Sequence, residues 1–170
     1  MRTIDCQRVV LEPQVAAHAA EMFVVLSDPG LYEYENEPPA SVEWLRERFA
    51  RLERRQSADG TQRWLNWVVR LRKDGSIGYV QATVFPTGRA AIAYVLASEY
   101  WGRGLAAEAC QGMIAELAEH YGVVTVFAIF KRRNARSARL LARLGFAPAL
   151  AAPGVEVESD ELLMLRELNA

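Results

Sequence analysis

Lysine is almost missing from this 170-residue chain: Lys73 and Lys131 stand alone among 20 basic residues, and the arginine bias that remains says nothing by itself about chemistry. Cysteine is equally sparse. Cys6 and Cys110 lie far apart with neither metal-ligand nor redox spacing, which excludes a disulfide framework and reads as two buried thiols in a reducing compartment. The only histidines, His18 and His120, fall on helical patterns away from any motif and are read as structural or surface residues. No apolar run approaches the ~20 residues of a membrane span, and the start "MRTIDCQRVVLEP" has no apolar signal core, so a cytoplasmic protein without a membrane partner is expected. A net charge of −1, from 20 basic and 21 acidic residues, gives no overall field toward nucleic acid or an anionic membrane. No repeat, low-complexity segment or linker divides the chain, and residues 1–170 are expected to form one domain.

What is present is a hydrophobic content of 51%, enough for a core without staples, and a clear succession of periods. Residues 6–12 ("CQRVVLE") read as a first strand, after which Pro13 is expected to open a helix with Val15, Ala19, Met22, Phe23 and Leu26 on one side. "SDPG" stops it, the loop "LYEYENEPPA" follows, and Ser41 caps a second helix carrying Val42, Leu45, Phe49 and Leu52 on one face. From about 62 to 98 the period becomes two, so that "RWLNWVVRLR", "IGYVQATVF" and "AAIAYVLA" form an antiparallel meander turned by "KDG" and "PTGR". Leu105, Ala109, Met113, Leu117 and Tyr121 then recur every four residues over 103–121, with Glu108, Gln111, Glu116 and Glu119 away from that stripe and Gly122 as the stop. The run "VVTVFAIF" reads as a central strand covered on both faces. Asn134 caps a last helix with Ala138, Leu140, Leu141 and Leu144, which Gly145 ends before two closing strands. The order is β-α-α-β-β-β-α-β-α-β-β, with a β-α-β crossover built from the strand ending at Leu96, the helix over 103–121 and the strand over 123–130.

Gly102 and Gly104 bracket Arg103 where that crossover leaves a strand and enters a helix, so that several backbone N–H groups can converge on one point. Such a nest suits phosphate oxygens, and a tight strand-to-helix turn without a ligand has the same glycines. It is not a P-loop, since no Gly-Lys-Ser/Thr follows, nor a dinucleotide fingerprint, since "LAA" follows Gly104 and a meander precedes the turn.

One strand later comes "NARSARLLARLGF", and together with "YWGRGLAAEA" it resembles the GNAT N-acetyltransferases, particularly their RimJ/RimL-like, ribosomal-protein alanine acetyltransferase branch. The likeness runs from "VVLEP" to "GF" and includes "LSDPGLYEY" and "AYVLASEYWGRGLAAEA". It implies an α/β fold of mixed α+β character: a twisted, mostly antiparallel mixed sheet of six to seven strands flanked by about four helices. It also implies acetyl-CoA as donor. The family turn Arg/Gln-x-x-Gly-x-Gly/Ala, which takes the pyrophosphate on main-chain amides, corresponds to Trp101, Gly102, Arg103, Gly104, Leu105 and Ala106, with tryptophan at its head as this branch often has. By the same resemblance Tyr94, Val95 and Leu96 pair with the pantetheine arm as an added strand, and the Leu96 N–H polarises the thioester carbonyl. Asn134 contacts the cofactor from the opposite side, and Ser137 points its hydroxyl near the thioester sulfur; from the residues alone, Asn134 is equally an N-cap and Ser137 a first-turn residue.

Relatives often place a tyrosine acid where this chain has Leu141 and an acidic residue where it has Ala91, so no general base is apparent. Freeing a lysine-like amine of its proton at pH 7 costs ~4.6 kcal/mol, against only ~1.4 kcal/mol for an α-amine. That favours an α-amine acceptor, on a protein N-terminus or a small molecule, or a carboxylate base acting through water, with aminoglycoside- and polyamine-type amines as the alternative acceptors. The family's acceptor wall corresponds to the loop carrying Tyr32, Glu33, Tyr34, Glu35 and Glu37, of which Tyr32 and the three carboxylates are expected to bind the amine. The basic stretch Lys131, Arg132, Arg133, Arg136, Arg139 and Arg143 has no interleaved aromatic platform, which argues against nucleic acid and for a solvated face with some arginines toward the adenosine 3′-phosphate. A non-catalytic acyl-CoA-binding domain is the competing reading, and a monomer and a homodimer both fit.

Overall fold

The computed structural model describes residues 1–34 and 36–168. Its strands are β1 (Ile4–Asp5), β2 (Val9–Pro13), β3 (Arg63–Leu71), β4 (Gly75–Val84), β5 (Arg89–Leu96), β6 (Thr125–Lys131), β7 (Ala147–Ala149) and β8 (Glu161–Glu167). Its α-helices are α1 (Ala19–Val25), α2 (Val42–Leu52), α3 (Leu105–Tyr121) and α4 (Ala135–Arg143). The strands form one 8-stranded sheet in the order β1-β2-β3-β4-β5-β6-β8-β7. Only β5 and β6 run parallel; every other neighbouring pair is antiparallel. The sheet is thus larger than the six to seven strands expected, because β1 is a two-residue strand and too short to show alternation.

The ends of the elements follow local chemistry. Ser41 accepts the Trp44 N–H and starts α2, while Gly122, at φ 64°, closes α3 in the left-handed region where a side chain would be strained. Pro13 ends β2 instead of opening a helix. The extended run continues past it, since the Gln14 N–H donates to the Asn66 carbonyl at 2.9 Å, and a 3-10 turn at Ala16–His18 intervenes before α1.

Period-two burial divides the sheet into two covered faces. On one, α3 and α4 lay Leu105, Met113, Leu117 and Leu141 against Trp67, Val80, Val126 and Phe130. On the other, α1 and α2 bring Met22, Leu45 and Phe49 over Val68, and farther along Phe127, Leu163 and Ala152 form a smaller cluster. Alternate residues of β6 therefore join opposite clusters, as a central strand requires. Glu116 departs from the expected solvated face of α3: it is 3% exposed and held by the Arg2 guanidinium at 2.7 Å. Cys110 is buried, whereas Cys6 is only half-buried, and both are free thiols. Among the described residues no helix is long and apolar enough to cross a membrane.

Two features of this sheet shape the space at the end of β5. The parallel ladder between β5 and β6 covers only Arg89, Ala90 and Ala91 against Thr125, Val126 and Phe127, so toward Leu96 the strands part. On its other side β5 is pressed tightly onto β4. A Cβ on Gly78 would lie 2.0 Å from the Val95 carbonyl oxygen, a contact only glycine avoids.

Candidate active site

The parting of β5 and β6 opens a cavity of about 420 Å³, walled by the end of β5, the start of α3, the outer turns of α4 and the segment Gly30–Tyr34. Main chain supplies much of its polarity. The Ala97 N–H donates back to Ile77 on β4 at 2.9 Å, and successive N–H groups of an extended strand alternate, so those of Leu96 and Tyr94 face the opening. The Leu96 carbonyl follows the same direction and accepts the Trp101 indole N–H at 2.7 Å.

Gly102 and Gly104 take φ of 73° and 76°, the left-handed conformation that lets the chain turn from β5 into α3. The helix begins with its N–H groups bare: Glu108 is the first to donate back, to Gly104 at 3.1 Å, which leaves the N–H groups of Leu105, Ala106 and Ala107 without a helical acceptor beside the cavity they line. The turn is braced from β2. Arg8 donates through Nη1 to the Arg103 carbonyl at 2.8 Å and through Nε to Glu108 at 2.7 Å, while Glu108 also accepts the Arg8 and Val9 N–H groups at 2.6 and 3.2 Å. These donors outweigh partial burial and hold the Glu108 carboxyl below its usual range. Of the turn residues expected to hold the cofactor, Trp101, Gly102, Gly104, Leu105 and Ala106 line the cavity; Arg103 does not, its guanidinium lying over the Tyr100 ring at 5.4 Å.

The opposite wall is α4. Asn134 Oδ1 accepts the Ser137 N–H at 3.0 Å, so its carbonyl caps the helix and its amide nitrogen remains for a ligand. Ser137 lines the cavity with Arg136, Arg139, Leu140 and Arg143, one face of the helix. Leu141 is off the cavity wall and is 1% exposed in the core. Across from Ser137 lies the Tyr94 side chain. Its hydroxyl is buried and completes no hydrogen bond among the described residues, and burial pushes the phenol upward, an effect that the nearby Ser137 hydroxyl partly offsets.

The remaining wall is the strap after α1. Asp28 caps it, accepting the Gly30 N–H at 2.9 Å and the Ser98 N–H at 2.6 Å, which ties the strap to the end of β5. Tyr34 lines the cavity; Tyr32 does not, because its hydroxyl donates to the Leu26 carbonyl at 2.6 Å. Glu33 is engaged by Arg136 at 2.6 Å, which holds its carboxyl below the usual range, and the same guanidinium lies 4.1 Å from the Trp101 ring and 5.5 Å from that of Tyr34. Glu37 is exposed and off the cavity wall, and Glu35 lies outside the described residues. His18 and His120 stand elsewhere, beside Glu12 and beside Glu116 and Glu119.

The pattern of the acetyltransferase (GNAT) domain matches residues 8–147. The chain belongs to the GNAT acetyltransferases. No curated protein matches it significantly. Among solved structures, the fold resembles RimL, a ribosomal L7/L12 alpha-N-protein acetyltransferase solved with coenzyme A, at 14% identity and a TM-score of 0.82 over 98% of each chain. It also resembles the ribosomal-protein-S5-alanine acetyltransferase of Vibrio fischeri, at 20% identity and TM-score 0.80 over 97% of this chain and 96% of that one. A GNAT-family acetyltransferase from Bacillus anthracis stands at 17% identity and TM-score 0.76, over 97% and 98%.

Acetyl-CoA is the donor this family uses, and the cavity suits it. Bare helix-start amides and the α4 arginines offer donors to phosphate oxygens, and the inward amides of Tyr94 and Leu96 offer a strand edge to an amide-bearing arm. Three contributors escape a sequence reading. The Arg8–Glu108 brace joins residues a hundred positions apart and has no motif. Tyr34 acquires meaning only from what the fold sets beside it, and Arg136 is visible in sequence only as one arginine in a basic run.

Proposed function

We propose that this GNAT acetyltransferase acetylates a free α-amine by direct attack on acetyl-CoA, within the RimJ/RimL-like branch. The observation that carries the reading is the convergence, on one cavity, of the inward Leu96 N–H, the Gly102–Gly104 turn and the Ser137 hydroxyl. Acetyl-CoA supplies an acetyl carbon activated as a thioester and a sulfur able to depart as thiolate. The Leu96 N–H is placed to polarise the acyl oxygen as charge grows on it, a preorganised donor that costs no rearrangement. The amides of Leu105 to Ala107, with Asn134, Arg139 and Arg143, hold the diphosphate end; Tyr94 keeps the arm extended through its inward main chain, while Val95, whose N–H and carbonyl turn to β4, only lines the wall. As the C–N bond forms, the C–S pair goes to sulfur; the Ser137 O–H meets that charge, the amine proton passes to water, and water later protonates the sulfur.

The acceptor is argued from what the cavity lacks. No Asp, Glu or His is among its described lining residues, so no strong base waits there. An α-amine, at ~1.4 kcal/mol for deprotonation at pH 7, reacts without one, whereas a lysine-like amine needs ~4.6 kcal/mol. Of the described strap carboxylates, Glu33 borders the cavity through its ion pair with the lining Arg136, and is the one available to a cationic amine there. Thiol release from acetyl-CoA, measured with peptides bearing free α-amines, with polyamines and with aminoglycosides, tests this. Turnover with free peptides and none with N-blocked ones is expected. Turnover confined to polyamines or aminoglycosides refutes the acceptor class, and thermal stabilisation by acetyl-CoA with no thiol release under any amine refutes turnover itself.

A further inference from the structure

The carboxylate of Asp28 does two separate jobs where the strap begins. Its Oδ1 accepts the Gly30 N–H at 2.9 Å, a local cap that asparagine, serine or threonine can also supply. Its Oδ2 accepts the Ser98 N–H at 2.6 Å, seventy positions along the chain. Among capping side chains only a carboxylate accepts with two oxygens, and asparagine sets an NH2 where the second one stands. The distant bond, and not the cap, thus accounts for an aspartate here. The two segments are also pressed together, since a Cβ on Gly30 would lie 3.3 Å from Ser98 Cβ and 3.2 Å from Asp28 Oδ1. Ser98 lies two residues beyond Leu96, in the short run that joins β5 to the glycine turn. Its neighbours there are held by β4 and by the run itself: the Ala97 N–H donates to Ile77 at 2.9 Å, that of Tyr100 to Ala97 at 3.0 Å and that of Trp101 to Ser98 at 3.1 Å. The Ser98 N–H goes to the strap instead. At its far end the strap meets α4 through long side chains, with Arg133 donating to the Tyr34 carbonyl at 3.3 Å and Arg136 paired with a half-exposed Glu33. A short carboxylate bound to main chain yields less than arginines on flexible stems, so the Asp28 end is the fixed one.

We propose that Asp28 is a positioning residue: by holding the Ser98 amide it sets the acceptor wall, Leu31 and Tyr34, in register with the Leu96 N–H. The proposal rests on the assignment of the strap to the amine and of the Leu96 N–H to the acyl oxygen. Asp28 is not among the residues lining the cavity and acts only through the segments it joins. What its loss changes is the geometry between the two substrates, more than the grip on either one.

The test uses Asp28→Asn and Asp28→Ser. Both keep a cap for Gly30 and lose the bond to Ser98, since one turns an NH2 toward that N–H and the other is too short to reach it. Ser41→Ala, which removes the acceptor of the Trp44 N–H at the start of α2, serves as a variant destabilised elsewhere. Exchange of the Ser98 amide hydrogen speeds up about tenfold in both Asp28 variants, while that of Gly30 holds. Register is read without turnover by calorimetry with a conjugate in which the sulfur of coenzyme A is joined through CH2–CO to the α-nitrogen of an accepted peptide, or of trialanine if none is accepted. The parent protein binds this conjugate more tightly than coenzyme A. The Asp28 variants lose about tenfold in conjugate affinity and keep their affinity for coenzyme A within a factor of about two. Well below the melting temperature, kcat with an accepted amine falls about three- to tenfold in the same variants, whereas Ser41→Ala melts lower and keeps kcat and both affinities. Parent-like Ser98 exchange in the Asp28 variants, faster exchange with a parent-like conjugate affinity, or an equal loss of coenzyme A binding overturns the proposal. A parent protein that binds the conjugate no more tightly than coenzyme A overturns the acceptor reading itself, and the proposal with it.

Discussion

Replacing Glu108 by glutamine probes whether the phosphate-facing turn is held from outside the cavity. The carboxylate accepts the Arg8 N–H at 2.6 Å, Arg8 Nε at 2.7 Å and the Val9 N–H at 3.2 Å, and Arg8 in turn donates to the Arg103 carbonyl at 2.8 Å. Glutamine keeps one acceptor oxygen, sets an NH2 against a donor and removes the charge that strengthens the rest. Charged acceptors exceed neutral ones by about 1 kcal/mol per bond, so three bonds would cost about 3 kcal/mol if fully desolvated. The Arg8 side chain is 48% exposed, and water cuts that to about 1–2 kcal/mol. For a chain of 170 residues this is a fall in Tm of roughly 2–8 °C. A loosened turn binds the donor less well, so KM for acetyl-CoA rises about threefold while kcat stays within a factor of about two. The sign with pH is set by a carboxyl held below its usual range when folded: its contribution is whole above the unfolded pKa of about 4.3 and vanishes as pH falls through the lower, folded value. Thermal melts of both proteins should therefore differ by a constant amount from about pH 7 to 5 and converge as the pH falls below the unfolded carboxyl range of about 4.3. A gap that persists undiminished at the acid end, or a lower Tm with an unchanged KM, refutes the brace.

Two further outcomes are expected. Gly78→Ala drives a Cβ to 2.0 Å from the Val95 carbonyl and 2.8 Å from Leu96 Cα, and backbone cannot yield as a side chain does. Differential scanning calorimetry should show a loss of about 3 kcal/mol, roughly 6–12 °C, and kcat should fall with it because Leu96 is displaced; Ala82→Gly, farther along the same strand, should lower Tm without the kinetic loss. Glu33→Gln frees Arg136 from its 2.6 Å partner, so KM for the amine rises about threefold while KM for acetyl-CoA stays level or falls; steady-state kinetics with both substrates varied reads the two apart.

Where local chemistry decides structure, the chain is readable. Ser41, Gly122 and Asn134 sit at helix ends because each satisfies or turns away orphaned backbone groups, and much of β4 and the start of β5 show alternating burial, whereas β3 is buried on both faces from Leu65 to Val69. The glycine turn and Ser137 share one cavity, as the paired motifs imply. What escapes is set by distance along the chain. Glu108 and Glu116 carry the pattern of a solvated helix face, but the fold brings Arg8 and Arg2 over them and makes one a brace and the other a buried ion. Pro13 has the local form of a helix start, and is kept extended by pairing with Trp67 on β3. In the strap, neighbouring acidic and aromatic candidates look alike in sequence; packing gives Tyr34 to the cavity, Tyr32 to the end of α1 and Glu33 to an arginine of α4.

The short ladder between β5 and β6 has one more consequence. An unpaired strand rim is ordinarily a hazard, because a strand of any other molecule can add to it and seed aggregation. Here the bare rim from Ile92 to Leu96 lies inside the sheet, with β6 beyond it and α3 and α4 closing over one side. The fold thus keeps the adhesive chemistry of an open edge in the wall of a cavity inside the sheet, and not on the outer rim where another strand could add to it.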